Sequence, residues 1–346
     1  MLMALIKSIS GIRGTVYSNN NQISLSPKEI VKYSHLFGLW IKLNSSNKEI
    51  TIAIGRDARF SGQYIIDIIS GTLQMMGISI LSLDLTTTPS VQLAIIHEHC
   101  DGGIMISASH NPIEWNGLKL LNNHGEFLTQ DQINSLFSIN DDGFSLSKSH
   151  LFNRKIDINY LNNHIESVLK LKDVDVDKVR ASKLKVVVDG INSSGGIYVP
   201  FLLKKFGVEV VELNCDPTGN FAHSPEPIPK NLERLSNEVV RVKANLGIAV
   251  DPDVDRLVLI CEDGSFFGEE YTIVAIVKYI LSKYPNSTVI TNLSTTKAVE
   301  DVVVSHNGNF YTSEVGEINV VELMKKKQAR IGGEGSGGVI FPESHY

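Results

Sequence analysis

Short apolar runs alternate with longer amphipathic segments in the first part of the chain. Nearly continuous apolar residues at 50–54, 77–83 and 104–106 predict buried strands, whereas residues 29–43 and 63–76 carry apolar side chains at helical spacing. Strands that are apolar on both faces belong to sheets covered by helices on both sides, and such sheets are mainly parallel. The pattern therefore predicts an α/β fold.

Polar residues mark where the predicted helices begin. Ser26 precedes a proline and an early acid, as is typical of a helix N-terminus, and Ser61 stands before the second helix. We expect both serines to act as N-caps.

The same order of strand, turn and helix recurs further along the chain. Strands at 185–188 and 246–250, with a helix at 196–206 between them, predict a second unit, and a third begins near residue 263. We expect three consecutive similar α/β domains, with mixed, mainly parallel sheets around a central cleft. Their predicted bounds are 1–150, 151–262 and 263–346. The polar segment 140–148 is expected to be the loop that ends the first domain.

Charge and cysteine content narrow the class of protein. The 346 residues carry a net charge of −6, and this modest acidity argues against nucleic acid or an anionic membrane as the main partner. Cys100, Cys215 and Cys261 have no C-x-x-C spacing, so neither a disulfide framework nor a thiolate metal site is predicted. No apolar run approaches the roughly 20 residues of a transmembrane helix, and the chain start lacks a signal-peptide layout. We expect a cytoplasmic protein.

The apolar run at 104–106 ends in a turn of small residues. Residues 107–112 read SASHNP, and a hydroxyl with small neighbours at the end of a buried strand is presented to a cleft. Ser109 is therefore the candidate nucleophile, and His110 follows it directly. The alternative is a polar turn closed by proline.

A second motif places three carboxylates in one tight loop. Residues 251–256 read DPDVDR between two predicted strands, so Asp251, Asp253 and Asp255 can converge on one hard cation, as Mg²⁺ requires. A calcium-binding EF-hand is excluded because Arg256 stands where that loop needs glycine and because the flanks are strands. The alternative is a solvated acidic turn, which mutual repulsion of the carboxylates disfavours.

Three cations lie near glycines at predicted strand ends. Arg13 lies between two glycines in SGIRG, and Arg56 follows a glycine at the end of the second strand. A turn that combines glycine with arginine suits phosphate recognition. The alternative is a plain turn with a solvated arginine. Lys119 follows an Asn-Gly turn ten residues after Ser109. It can neutralise phosphate charge or shuttle a proton, or it is a solvated lysine on a strand edge.

Near the end of the sequence, residues 332–338 read GGEGSGG. Glu334 and Ser336 supply hydrogen-bonding groups that suit sugar hydroxyls, and the glycines leave room for a sugar ring. The alternative is a generic glycine turn.

Together these motifs resemble the α-D-phosphohexomutase family, which includes phosphoglucomutases, phosphomannomutases and phosphoglucosamine mutases. SGIRG, SASHNP, DPDVDR and GEGSG occur in the order and rough spacing of that family, over essentially the whole chain. The resemblance implies a phosphoserine at Ser109, Mg²⁺ held against it by the aspartates, and a sugar-binding glutamate and serine. The candidate site residues are Ser109, Lys119, Arg13 and His110 for catalysis, Asp251, Asp253, Asp255 and Ser109 for the metal, and Arg256, Glu334, Ser336, Arg56 and Gly316 for the substrate.

The resemblance implies interconversion of hexose 6-phosphate and hexose 1-phosphate through a 1,6-bisphosphate, which also serves as activator. We expect a monomer or homodimer. The chain departs from the family's pattern where it stops at Tyr346 without a fourth, phosphate-gripping domain, and at Gly338, where many members carry histidine or asparagine. The serine-first SASHNP resembles phosphoglucosamine mutases. Alternatives are a truncated, non-catalytic sugar-phosphate binder and a magnesium-dependent sugar phosphatase.

Overall fold

A computed structural model of the chain describes residues 5–17, 23–140, 154–156 and 160–346. Most of the loop expected at 140–148 lies outside the described residues. The chain divides into two compact units, Met1–Asn162 with Thr218–Asn220, and Asn163–Pro217 with Phe221–Tyr346. Among the described residues, no helix combines the length and the apolar character needed to cross a membrane.

The first unit is built on a seven-stranded sheet in the order β1-β2-β6-β5-β3-β4-β7. Pairing is antiparallel from β1 to β5 and parallel from β5 to β7. Its elements are β1 (Ile6–Ser8), β2 (Gly11–Thr15), α1 (Pro27–Asn44), β3 (Thr51–Arg56), α2 (Gly62–Met75), β4 (Ser79–Leu85), α3 (Thr88–His97), β5 (Gly102–Ile106), β6 (Trp115–Leu121), α4 (Gln130–Phe137) and β7 (Arg154–Ile156).

Helices cover both faces of this sheet. A Cβ added to Gly102 would meet Ile41 of α1, whereas one added to its neighbour Gly103 would meet Ile95 of α3. Because successive residues of a strand face opposite sides, α1 and α3 lie on opposite faces. This explains why the central strands are apolar throughout.

The second unit contains two four-stranded sheets, in the orders β11-β10-β8-β9 and β13-β12-β14-β15. In each sheet one outer pair is antiparallel and the others are parallel. The elements are α5 (Tyr160–Leu169), which begins in the first unit, α6 (Val176–Ala181), β8 (Lys185–Asp189), α7 (Gly195–Lys205), β9 (Glu209–Leu213), α8 (Glu233–Arg241), β10 (Leu246–Val250), β11 (Leu257–Cys261), α9 (Glu269–Lys283), β12 (Thr288–Asn292), α10 (Ala298–Ser305), β13 (Asn309–Ser313), α11 (Glu317–Lys327), β14 (Ile331–Gly333) and β15 (Val339–Ile340).

The prediction of α/β domains with mixed, mainly parallel sheets is confirmed. The predicted cap of α1 is also confirmed, because Ser26 Oγ accepts a hydrogen bond from the Glu29 amide. The Ser61 cap is wrong. Ser61 makes no capping bond at the start of α2, because its hydroxyl accepts instead from Asn116 Nδ2 at 2.8 Å. Helices α4, α6 and α8 and strands β2, β7 and β13 were not predicted.

Candidate active-site loops

The serine loop, residues 107–112, begins directly after β5. Ser109 is 2% exposed and adopts φ +48°, a left-handed conformation that non-glycine residues rarely occupy. Its Oγ lies 3.5 Å from His110 Nδ1. The loop is thus an ordered and constrained structure rather than a solvated polar turn.

A buried arginine that the sequence analysis overlooked holds this loop. Arg59 is 1% exposed, and its guanidinium donates to four carbonyl oxygens of the loop and the residues just after it. The acceptors are the carbonyls of Ser109 at 2.6 Å, Asn111 at 2.7 Å, Pro112 at 2.6 Å and Trp115 at 3.0 Å. The planar fork of an arginine suits such convergent carbonyls, so Arg59 fixes the path of the backbone on both sides of His110.

Asp57 completes the support from the same turn. Its Oδ2 accepts from Arg59 Nε at 3.1 Å and from Ser107 Oγ at 2.7 Å, and both members of the ion pair are fully buried. Ser107 Oγ in turn accepts from the Ser109 amide at 2.9 Å. Asp57 therefore compensates the buried charge and positions Ser109 through one intervening serine. The signal in the sequence is GRDAR, where Asp57 and Arg59 directly follow the predicted substrate-binding residue Arg56.

Arg56 is the last residue of β3 and pairs in register with Ile106 of β5. Its guanidinium forms an ion pair with Asp84, Nε to Oδ1 at 2.8 Å, and donates to the Asp57 carbonyl at 3.2 Å. The side chain is thus next to the serine loop but is already engaged by a carboxylate. Its substrate-binding role stays a prediction.

Lys119 lies on β6, which is next to β5, and Arg13 lies on β2, one strand further out. Arg13 belongs to β2 rather than to a turn, because the two glycines of SGIRG fall within the second strand of the β1–β2 hairpin. It pairs with Gly117 of β6, whose carbonyl accepts from the Ser107 amide at 3.1 Å. Lys119 is buried opposite Met105 of β5. The alternative of a solvated edge lysine is therefore wrong, since β6 lies inside the sheet.

The aspartate loop, residues 251–256, joins β10 and β11. Asp251, Asp253 and Asp255 each offer a carboxylate oxygen, and these oxygens lie within 4.8 Å of one another. Asp251 and Asp253 are fully buried, which argues against a merely solvated acidic turn. Three hard oxygen donors at this spacing fit a divalent cation such as Mg²⁺.

The backbone of the aspartate loop is held by its own first carboxylate and by a residue missed in the sequence. Asp251 Oδ1 accepts from the amides of Asp255 and Arg256, each at 3.2 Å. Ser193 Oγ, from the loop before α7, donates to the Pro252 carbonyl at 2.7 Å. These bonds hold the backbone of the loop from the residue that opens it to Arg256 at its end.

Arg256 ends the aspartate loop beside several carboxylates. Burial alone would lower the pKa of its guanidinium. The negative charges of Asp251, Asp255 and Glu334 raise this pKa by more than burial lowers it, so it lies above the ordinary arginine value. Arg256 therefore remains a cation next to the three carboxylates of the aspartate loop and to Glu334 of the glycine loop, where it suits an anionic group of a ligand.

The glycine loop, residues 332–338, connects β14 to β15 and contacts the start of β11. The Leu257 amide donates to the Gly337 carbonyl at 3.2 Å, and a Cβ on Gly337 would stand 2.5 Å from the Leu257 oxygen. Gly337 also has φ +92°, so glycine is required there. Glu334 and Ser336 are half-buried.

Gly316 and Glu334 lie at the same edge of the third sheet. Gly316 follows β13 and precedes α11, and Glu334 follows β14. Because β13, β12 and β14 are parallel, their carboxyl ends share one edge, where ligands bind in open α/β sheets.

Family models match nearly the whole chain. They are described as phosphoglucomutase/phosphomannomutase alpha/beta/alpha domain I over residues 5–144, domain II over 162–264 and domain III over 268–346. The chain belongs to the phosphoglucomutase/phosphomannomutase family. The resemblance in the motifs is thereby confirmed, and with it membership of a family of phosphohexomutases, which are isomerases that act as intramolecular phosphotransferases.

Individual members of the family show how far the similarity extends. A Thermococcus kodakarensis protein named "Phosphoglucomutase/phosphomannomutase" is 32% identical over 96% of this chain and 72% of its own length. A Methanopyrus kandleri protein named "Probable phosphoglucosamine mutase" is 31% identical over 85% of this chain, a match that spans 65% of the relative. The crystal structure of a Burkholderia thailandensis family protein superposes with a TM-score of 0.80 at 23% identity, covering 99% of this chain and 74% of the other, and supports the fold.

Proposed function

We propose that this chain catalyses phosphohexomutase chemistry, in which the phosphoryl group of phosphorylated Ser109 is transferred to the free hydroxyl of a hexose monophosphate. The observation that carries the proposal is the serine loop. A serine next to an imidazole, held in a strained left-handed conformation by a buried ion pair, is a costly arrangement that suits a reacting group.

In the proposed step, an O–P bond forms at the sugar hydroxyl while the bond from phosphorus to Ser109 Oγ breaks. The proton of the sugar hydroxyl passes to a base, for which we propose Lys119. His110 Nδ1, which lies near Ser109 Oγ, is proposed to give a proton to that oxygen as its bond to phosphorus breaks. The bisphosphate formed then gives its other phosphate back to Ser109. Arg13, Arg56 and Arg256 are proposed to hold phosphate charge.

Asp251, Asp253 and Asp255 are the proposed ligands of Mg²⁺, and the phosphoryl group of Ser109 is a proposed further ligand. A bound Mg²⁺ would supply Lewis-acid stabilisation of charge on the phosphoryl group. Glu334, Ser336 and Gly316 are proposed to contact the sugar, and hexose 1,6-bisphosphate to act as activator. The domain bounds 1–150, 151–262 and 263–346, the cytoplasmic location and a monomeric or homodimeric state remain part of the proposal.

The test is the intact mass of the purified chain before and after incubation with glucose 1,6-bisphosphate, with and without Mg²⁺. We expect the wild type to gain one phosphoryl group only when Mg²⁺ is present, and Ser109→Ala to gain none. Product analysis then separates the activities, since a mutase isomerises glucose 1-phosphate whereas a phosphatase releases inorganic phosphate. A wild type that gains no mass and isomerises no hexose phosphate would rule the proposal out.

A further inference from the structure

The carboxyl end of β12 carries a buried asparagine that contacts the glycine loop. Asn292 is the last residue of the strand and is 2% exposed. Its Nδ2 donates to Glu334 Oε1 at 2.6 Å. The carboxylate expected to meet the sugar is therefore held by a neutral amide at one of its two oxygens.

Neighbouring donors fix which way the Asn292 amide points. Its Oδ1 accepts from the Ser294 amide at 3.1 Å, Ser294 Oγ at 3.0 Å and Thr295 Oγ1 at 2.8 Å. Because three donors converge on this atom, it must be the oxygen, and the amide nitrogen necessarily faces Glu334.

Thr295 closes these contacts into a ring. Its hydroxyl donates to Asn292 Oδ1 and accepts from the Gly335 amide at 2.9 Å. The side chain of Glu334 and the backbone of the next residue are thus tied to the same asparagine. We call these four groups, from Asn292, Thr295, Glu334 and Gly335, the orienting ring.

We propose that Asn292 and Thr295 are positioning residues that aim Glu334 Oε2 at a hydroxyl of the bound hexose. The inference rests on the proposed function, because it assigns the sugar to Glu334. Oε1 is engaged by Asn292, which leaves Oε2 as the oxygen that accepts from the ligand. A carboxylate held in its binding rotamer before the sugar arrives avoids the ordering cost of binding.

Isosteric variants of the full chain separate positioning from folding. Asn292→Asp keeps the acceptor for Ser294 and Thr295 but places a second carboxylate against Glu334. We expect its Kd for glucose 6-phosphate or glucosamine 6-phosphate, measured by calorimetry, to rise at least tenfold while its Mg²⁺ affinity stays within twofold. Thr295→Val breaks the ring at the hydroxyl and should weaken binding about threefold to tenfold, whereas Thr295→Ser should restore it.

The matched control is Ser287→Ala, which removes a hydroxyl hydrogen bond to the Tyr284 carbonyl just before the other end of β12 and should bind within twofold of wild type. Hydrogen exchange of the Gly335 amide reports directly on the ring and should accelerate in Thr295→Val but not in the control.

The outcomes distinguish the two claims. A wild type that binds neither sugar phosphate overturns the proposed function. A wild type that binds, with folded Asn292→Asp binding equally well, overturns the positioning role. If Asn292→Asp fails to fold, Thr295→Val decides, because fast Gly335 exchange with unchanged affinity would show that the ring serves stability alone.

Discussion

The serine loop and the glycine loop both follow the carboxyl end of a buried strand, yet they are held by different chemistry. A fully buried ion pair, Arg59 with Asp57, fixes the serine loop, and the cation donates to four backbone carbonyls. Neutral hydrogen bonds from Asn292 and Thr295 fix the glycine loop.

The difference follows the ligand proposed for each loop. A loop whose serine carries a phosphoryl group must tolerate about two negative charges, and a guanidinium directly behind its carbonyls offsets part of that field. A loop that meets sugar hydroxyls needs its carboxylate held in one orientation, and the neutral hydrogen bonds from Asn292 and Thr295 do this even though the charge of Arg256 lies near Glu334. Charge supports the first loop and geometry supports the second.

The largest effect is expected from Arg59→Met. This change leaves Asp57 as an uncompensated buried charge and removes the donor from four carbonyls, so we expect a loss of about 3–5 kcal/mol in the free energy of unfolding. Urea denaturation measures it. The double variant Asp57→Asn/Arg59→Met should recover part of the loss, because no isolated charge remains.

The matched control for Arg59 is Arg56→Met, three residues earlier at the end of β3. Arg56 pairs with a half-exposed Asp84, so its removal should cost only about 0–1 kcal/mol. Equal losses for the two arginines would contradict a special role of the buried cation.

A smaller effect is expected from Gly337→Ala in the glycine loop. The positive φ and the close Leu257 carbonyl make any side chain strained there, and we expect a loss of about 1–3 kcal/mol. Gly71→Ala is the control, because Gly71 lies inside α2 with no atom near an added Cβ. That change should stabilise by about 0.5–1 kcal/mol, and a stable Gly337→Ala would show that the glycine loop is looser than described.

The smallest effect concerns a titratable contact between the loop after β9 and the last residue of β8. His223 Nε2 lies 3.2 Å from the buried Asp189 Oδ2. Burial alone would lower the pKa of His223, but the hydrogen bond to Asp189 and the negative charge of Asp189 raise it, and the net pKa lies above the ordinary histidine value. A raised folded-state pKa means that the stabilisation is present below about pH 6.5 and is lost as the pH rises through the folded pKa.

We therefore expect the free energy of unfolding of the wild type, measured by urea denaturation, to exceed that of His223→Gln by about 0.5–1.5 kcal/mol at pH 5.5. At pH 8.5 the difference should be smaller. A difference that grows with pH would contradict this assignment. The expected result would show that this contact strengthens the fold only when His223 is charged, unlike the permanent ion pair of the serine loop and the neutral hydrogen bonds of the glycine loop.

The elements that local pattern determines were predictable from the sequence. Strands β10 and β11 match the expected bounds because their apolar runs are interrupted sharply by the proline and carboxylates of the aspartate loop. Ser109 and the three aspartates could be selected as candidate site residues for the same reason, since each of the two loops follows a buried strand.

What the sequence did not reveal depends on long-range pairing. Arg59 contacts carbonyls some 50 residues away, and nothing local distinguishes it from Arg56. The burial of Lys119 depends on β6 lying between β2 and β5, which only the sheet order determines. Asn292 likewise meets Glu334 only because β12 and β14 are neighbours.

The left-handed backbone at Ser109 also restricts which residue can take the nucleophilic role that we propose for this position. A threonine carries the same hydroxyl, but its branched Cβ clashes with the backbone at φ +48°, so the loop would have to unwind to accept it. Asparagine and aspartate tolerate this conformation and would keep the shape of the loop while abolishing its chemistry. The backbone thus restricts which hydroxyl-bearing side chain position 109 accepts, independently of any substrate.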